Sequence, residues 1–130
     1  MVRADREVGG AAGPNRFYFV IPMNVEEKAL SMFRAEPYCY NCAQTVCAAL
    51  GRHDLVPVMS ACSGGRAPEG MCGALYGVLL CSPESLRPAM TDVFRQKCGY
   101  LTCRELKKEG RVPCVECVRA AAGLAAVLGL

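Results

Sequence analysis

Ten cysteines and a single histidine in 130 residues set the chemistry open to this chain. Four of them, Cys42, Cys72, Cys103 and Cys114, each stand within about a turn of a place where the sequence starts a helix. Free N–H groups and the positive dipole end at a helix start favour thiolate over thiol and lower a cysteine's pKa. Thiolate is the form that attacks disulfides and the form that binds metals. Four such positions, from four helices, can meet as one reactive cluster if the fold brings those ends together.

The remaining cysteines divide into two groups. Cys39-Tyr40-Asn41-Cys42 and Cys114-Val115-Glu116-Cys117 are CxxC pairs, the spacing of zinc sites and of dithiol redox motifs. Neither is followed by His, so covalent c-type haem attachment has no support. Cys47, Cys62, Cys81 and Cys98 lie in apolar helical stretches and read as small buried hydrophobes. No phosphate-binding glycine loop and no G-x-S-x-G nucleophile turn is present. A Cys–His nucleophilic pair would have to use His53, which no neighbouring residue supports.

The elements that must position these thiols are helical. Asn24 with Glu27, Asn41 with Gln44, and Thr102 with Glu105 are capping-box pairs, which predict helices beginning near 25, 42 and 103. Pro37 stops the first and Gly51 closes the second. Residues 54 to 62 predict a short helix. Ser82-Pro83-Glu84 predicts another, with Leu86, Met90, Val93 and Phe94 inward and Gly99 after its end. Pro113 opens a last helix from Cys114 to about Leu128, with Val118, Ala121, Ala122 and Ala125 available for packing. The expected fold is an all-α, single-domain bundle of five to six helices over residues 23–130. Residues 1–22 form an N-terminal extension, with one strand-like run at Phe17-Tyr18-Phe19-Val20.

The stretch Gly64 to Gly77 carries five glycines, one proline and Cys72 in fourteen residues. Pro68-Glu69 reads as a first helical turn, which would set Cys72 one turn inside the helix. Gly73 and Gly77 fall four apart beside it and leave a notch without side chains. A cofactor or a second sulfur needs such room, so both glycines are candidate cofactor-binding positions. Close helix packing is the other use of the same notch. If the notch serves a ligand, Gly77→Leu should impair binding more than folding.

Composition bounds the rest. A hydrophobic content of 52% excludes a disordered chain, and a net charge of +3 from scattered basic residues argues against a nucleic-acid surface. The charged start followed by Gly9-Gly10-Ala11-Ala12-Gly13-Pro14 is no secretory signal. Apolar runs are too short to span a bilayer. A cytoplasmic protein is expected, and there cysteines serve as metal ligands or redox thiols rather than as disulfides.

Tyr40-Asn41-Cys42-Ala43-Gln44, then Gly65 to Gly70 leading to Cys72-Gly73-Ala74-Leu75-Tyr76-Gly77, then Cys103-Arg104-Glu105-Leu106 and Cys114 before Val118-Arg119-Ala120-Ala121, occur in that order. Together they resemble the C_GCAxxG_C_C family over roughly residues 25 to 128. Its members are small helical proteins described as redox-active, with physiological roles largely unassigned, and a similar domain in a multihaem cytochrome is associated with an iron–sulfur centre. The resemblance implies a redox role with Cys42, Cys72, Cys103 and Cys114 as the four characteristic cysteines. An iron–sulfur cluster for electron transfer is the cofactor it implies. Cluster-free thiol–disulfide exchange and a structural four-cysteine zinc site are the alternatives. The six further cysteines depart from the family pattern, and Cys39 or Cys117 offers a substitute ligand. A redox partner protein is expected, with homodimerisation left open.

Overall fold

Helix starts in this chain are set by short polar side chains that satisfy the otherwise unpaired first N–H groups. The computed structural model describes residues 24–127. The extension and its strand-like run at 17–20 lie outside them. Asn24 caps α1 (Val25–Met32), accepting from the Glu27 N–H at 2.7 Å while the Glu27 carboxylate accepts from the Asn24 N–H at 3.2 Å. Asn41 and Gln44 make the same reciprocal pair at the start of α2 (Cys42–Ala49). Thr102 caps α5 (Cys103–Lys108) by accepting from the Glu105 N–H. Here only half of the expected box forms, because the Glu105 carboxylate accepts from the Thr102 hydroxyl at 2.9 Å instead of from its backbone. Gly99, at a φ of 91°, ends α4 (Arg87–Cys98) in the left-handed conformation that glycine adopts without strain.

The bundle is organised around α6 (Cys114–Val127), which packs against α1, α2, α3 (Gly73–Leu80) and α4. Its buried face is Val118, Ala121, Ala122 and Ala125, all without solvent exposure, and these small side chains let four neighbours approach one axis. Leu75, Val78, Met90, Phe94 and Leu106 complete the main core. Each such side chain contributes on the order of 2 kcal/mol by leaving water. A second, smaller core lies between α2 and α3 around Ala43, Cys47 and Met59. No β-strand occurs among the described residues; two isolated bridges join Phe33 to Tyr40 and Met71 to Thr102. The all-α bundle expected from the sequence is the architecture found.

Three local expectations are corrected. Residues 54 to 62 are not one helix but two single 3₁₀ turns, His53–Leu55 and Val58–Ala61, broken at Pro57. Val93 faces outward, while Met90 and Phe94 are buried as expected. Pro68–Gly70 forms a separate 3₁₀ turn, and Glu69 enters the left-handed region at a φ of 61°. That reversal stops the turn from running into α3, so Cys72 is the N-cap of the helix rather than a residue one turn inside it.

Candidate functional site

The four helix-start cysteines meet. Cys42 is the first residue of α2, Cys72 caps α3, Cys103 opens α5 and Cys114 opens α6, and all four line one cavity of about 170 Å³. Cys117, one turn along α6 from Cys114, joins the same wall. Cys39 does not: it is exposed, at a φ of 51°, outside the lining. Of the two CxxC pairs, only the second contributes both sulfurs.

Each sulfur is placed by backbone capture of its own segment. Asn41 caps the helix at Cys42, and its amide group also donates to the Met59 and Ser60 carbonyls at 3.1 and 3.3 Å. Gln44 donates to the Val56 carbonyl at 3.1 Å. The Cys72 N–H donates to the Leu101 carbonyl at 2.8 Å, which ties the start of α3 to the approach of α5. The Pro113 carbonyl accepts from the Glu116 and Cys117 amides, which fixes the first turn of α6.

The two glycines separate in function. A Cβ on Gly73 would collide with the Cys62 carbonyl and stand 2.8 Å from the Cys42 sulfur, so this glycine is part of the cavity wall. A Cβ on Gly77 would stand 3.0 Å from the Ala43 carbonyl and 3.5 Å from the Cys47 sulfur. Gly77 therefore faces α2, away from the cavity lining, and permits close packing of α2 on α3.

Electrostatics in the cavity are uneven. The Cys72 thiol is lowered from 9.0 to about 7, chiefly by its Cys117 neighbour acting as donor, with the Leu75 and Ala74 amides and Lys107 adding to the effect against burial. Cys117 is correspondingly pushed up, by the same pairing with Cys72 and by burial. Cys42 moves the other way, from 9.0 up to about 11, because burial and the neighbouring Cys72 and Cys114 outweigh its place at a helix start. A helix start alone therefore does not make a thiolate. Two cations stand in the wall, Arg34 and Lys107, and the lysine is held in its charged form mainly by Cys114 and Cys103. Sequence reasoning passed over Lys107, although its position four residues after Cys103 puts the two on one face of α5.

These shifts predict a pH signature for the reduced, metal-free protein. Cys72 is depressed in the folded state, so between pH 7 and 9 the unfolded chain binds the extra proton and stability rises with pH. Cys42 is raised, so from pH 9 to 11 stability falls as the unfolded chain ionises first. Urea unfolding across this range should show the rise, and Cys72→Ser should remove about 2 kcal/mol of it. An unchanged slope between pH 7 and 9 in that variant would contradict the assignment.

The fold and the cavity define a small all-α protein with converging thiols. Comparison with protein-family models, with curated proteins and with solved structures gives no match for this chain. No helix among the described residues is long and apolar enough to cross a membrane. No three Cys, His, Asp or Glu side chains among them form a group that could hold one metal ion as they stand.

Proposed function

We propose that this chain is a redox-active protein that binds an iron–sulfur cluster through Cys42, Cys72, Cys103 and Cys114, in keeping with its resemblance to the C_GCAxxG_C_C family. The observation that carries the reading is that these four thiols, from four separate helix starts, line a single cavity. Four thiolates are the usual donor set for such a cluster. The residues fit it in two further ways. Gly73 leaves the wall open beside Cys42, and Arg34 and Lys107 supply positive charge against an anionic set of thiolates. A polynuclear cluster also suits thiols spread around a cavity better than a single ion, which needs every sulfur at about 2.3 Å. When bound, the cluster would supply one-electron transfer to and from a partner protein. The chain itself holds the sulfurs, balances their charge and, through Leu106 and Val112, limits the access of water. The compartment we assign is the cytoplasm, where thiols stay reduced.

Anaerobic purification followed by iron, sulfide and zinc analysis with an absorption spectrum tests this reading. A brown protein with iron and sulfide in matched amounts is expected. A colourless preparation, free of iron and sulfide after reconstitution, overturns it. Stoichiometric zinc with unfolding on chelation would instead identify a structural zinc module.

One observation favours a second reading. The Cys72 thiolate beside the Cys117 thiol has the pairing that cluster-free thiol–disulfide exchange requires. In that case metal-free protein should lose two protons reversibly and link those two residues.

A further inference from the structure

A second pair of sulfurs lies outside the cavity. Cys47 on α2 and Cys81 at the C-terminal cap of α3 have their sulfurs 3.7 Å apart. Neither belongs to the cavity lining. Cys72 and Cys81 cap the two ends of α3, nine positions and about 13 Å apart at helical rise, so the two sulfur sites occupy opposite ends of one helix. The pair sits in the small core around Ala43 and Met59, distinct from the main core.

From this geometry we infer that Cys47 and Cys81 form a second, independent dithiol, which exchanges electrons with a small-molecule or protein disulfide. The two members are unequal in the way such exchange requires. Cys81 is partly exposed, whereas Cys47 has no solvent exposure. Cys81 is held below the ordinary thiol range, first by its contact with Cys47 and then by Arg52, while Cys47 is raised by the same contact and by burial. The Cys47 thiol also lies 3.7 Å from the Gly77 carbonyl, which holds it facing α3. A disulfide would need this gap to close to about 2.05 Å, and Gly77 already lets α2 and α3 pack closely beside the Cys47 sulfur.

The step balances as an ordinary exchange. The Cys81 thiolate attacks one sulfur of a substrate disulfide, forming a mixed disulfide and releasing the other sulfur as a thiolate. That leaving thiolate, or solvent, takes the Cys47 proton. Cys47, now a thiolate, then attacks the Cys81 sulfur, closing the Cys47–Cys81 disulfide and releasing the second substrate sulfur as a thiolate, which takes a proton from solvent according to its own pKa. The substrate disulfide gains two electrons and the protein dithiol loses them.

The test uses full-length, metal-free, reduced protein equilibrated with oxidised and reduced glutathione in graded ratio, then acid-quenched and alkylated. Fragmentation spectra assign which residues are linked. The expected result is a Cys47–Cys81 linkage that appears with a single midpoint and reverses on reduction. Cys47→Ser should accumulate glutathione on Cys81, at least about tenfold above the unaltered protein, because its resolving thiol is gone. Cys81→Ser should carry no glutathione on Cys47. Circular dichroism confirms that each variant is folded, and the unaltered protein alone decides the matter if one is not. Separate alkylation of both residues at every ratio, or preferential linkage of either to a cavity cysteine, overturns the inference. Because the readout is residue-specific, it is independent of whether the cavity binds a cluster.

Discussion

Gly73→Ala is expected to destabilise the metal-free protein by about 3 kcal/mol, at the upper end of overpacking costs, which lowers the melting temperature by about 12–20 °C in a domain near this size. The added methyl would meet the Cys62 carbonyl and the Cys42 sulfur. The carbonyl belongs to the backbone and cannot swing aside as a long side chain would. Gly77 makes the informative comparison. There a methyl would stand 3.0 Å from the Ala43 carbonyl, but an interior helical glycine also regains up to about 1 kcal/mol on becoming alanine. Gly77→Ala should therefore melt within a few degrees of the unaltered protein. Gly77→Leu overfills the α2–α3 contact and should impair folding first, in contrast to the binding defect expected if the glycine faced a ligand. Thermal melts of the three variants check this. A Gly77→Ala protein that melts below Gly73→Ala would reverse the order of the two sites.

Removing single cysteines should separate ligands from neighbours. After anaerobic reconstitution and gel filtration, Cys42→Ala, Cys72→Ala, Cys103→Ala and Cys114→Ala should each retain at least about tenfold less iron and sulfide than the unaltered protein. Cys117→Ala should keep its iron when reconstituted and, in the metal-free protein, shift the Cys72 titration upward, because it removes the donor that stabilises that thiolate. The discriminating pair is Cys114 and Cys117, both in the cavity wall. Iron lost from Cys117→Ala but kept by Cys114→Ala would exchange their roles. Circular dichroism distinguishes loss of the cluster from loss of fold.

Local chemistry was readable in the sequence wherever a side chain answers to residues three positions away. Asn24, Asn41 and Thr102 announced their helices because a cap is a short-range contact. Cys42 and Cys103 stand out for the same reason, and Cys114 because Pro113 precedes it; Cys72 follows no side-chain cap. The meeting of all four at one cavity could not be read in this way, since it depends on how α2, α3, α5 and α6 pack. The turn at Pro68 departs from the helical expectation because Glu69 adopts a left-handed conformation that its residue type does not signal. The titration of Cys42 departs from its helix-start expectation because burial, which a cap argument omits, raises it. Cys47 and Cys81 each looked like ordinary small apolar residues, and only the close approach of α2 and α3 makes them a pair.

Asn41 performs two duties with one side chain. Its oxygen accepts from the Gln44 amide and so orients Cys42, while its nitrogen holds the Met59 and Ser60 carbonyls just ahead of Ser63 and Gly64 in the cavity wall. Drawing that rim segment outward would strip the nitrogen of its partners and strain the cap beneath Cys42 in the same movement. The position of that stretch of wall and the alignment of the first thiol are thus mechanically linked, because both hang from one side chain.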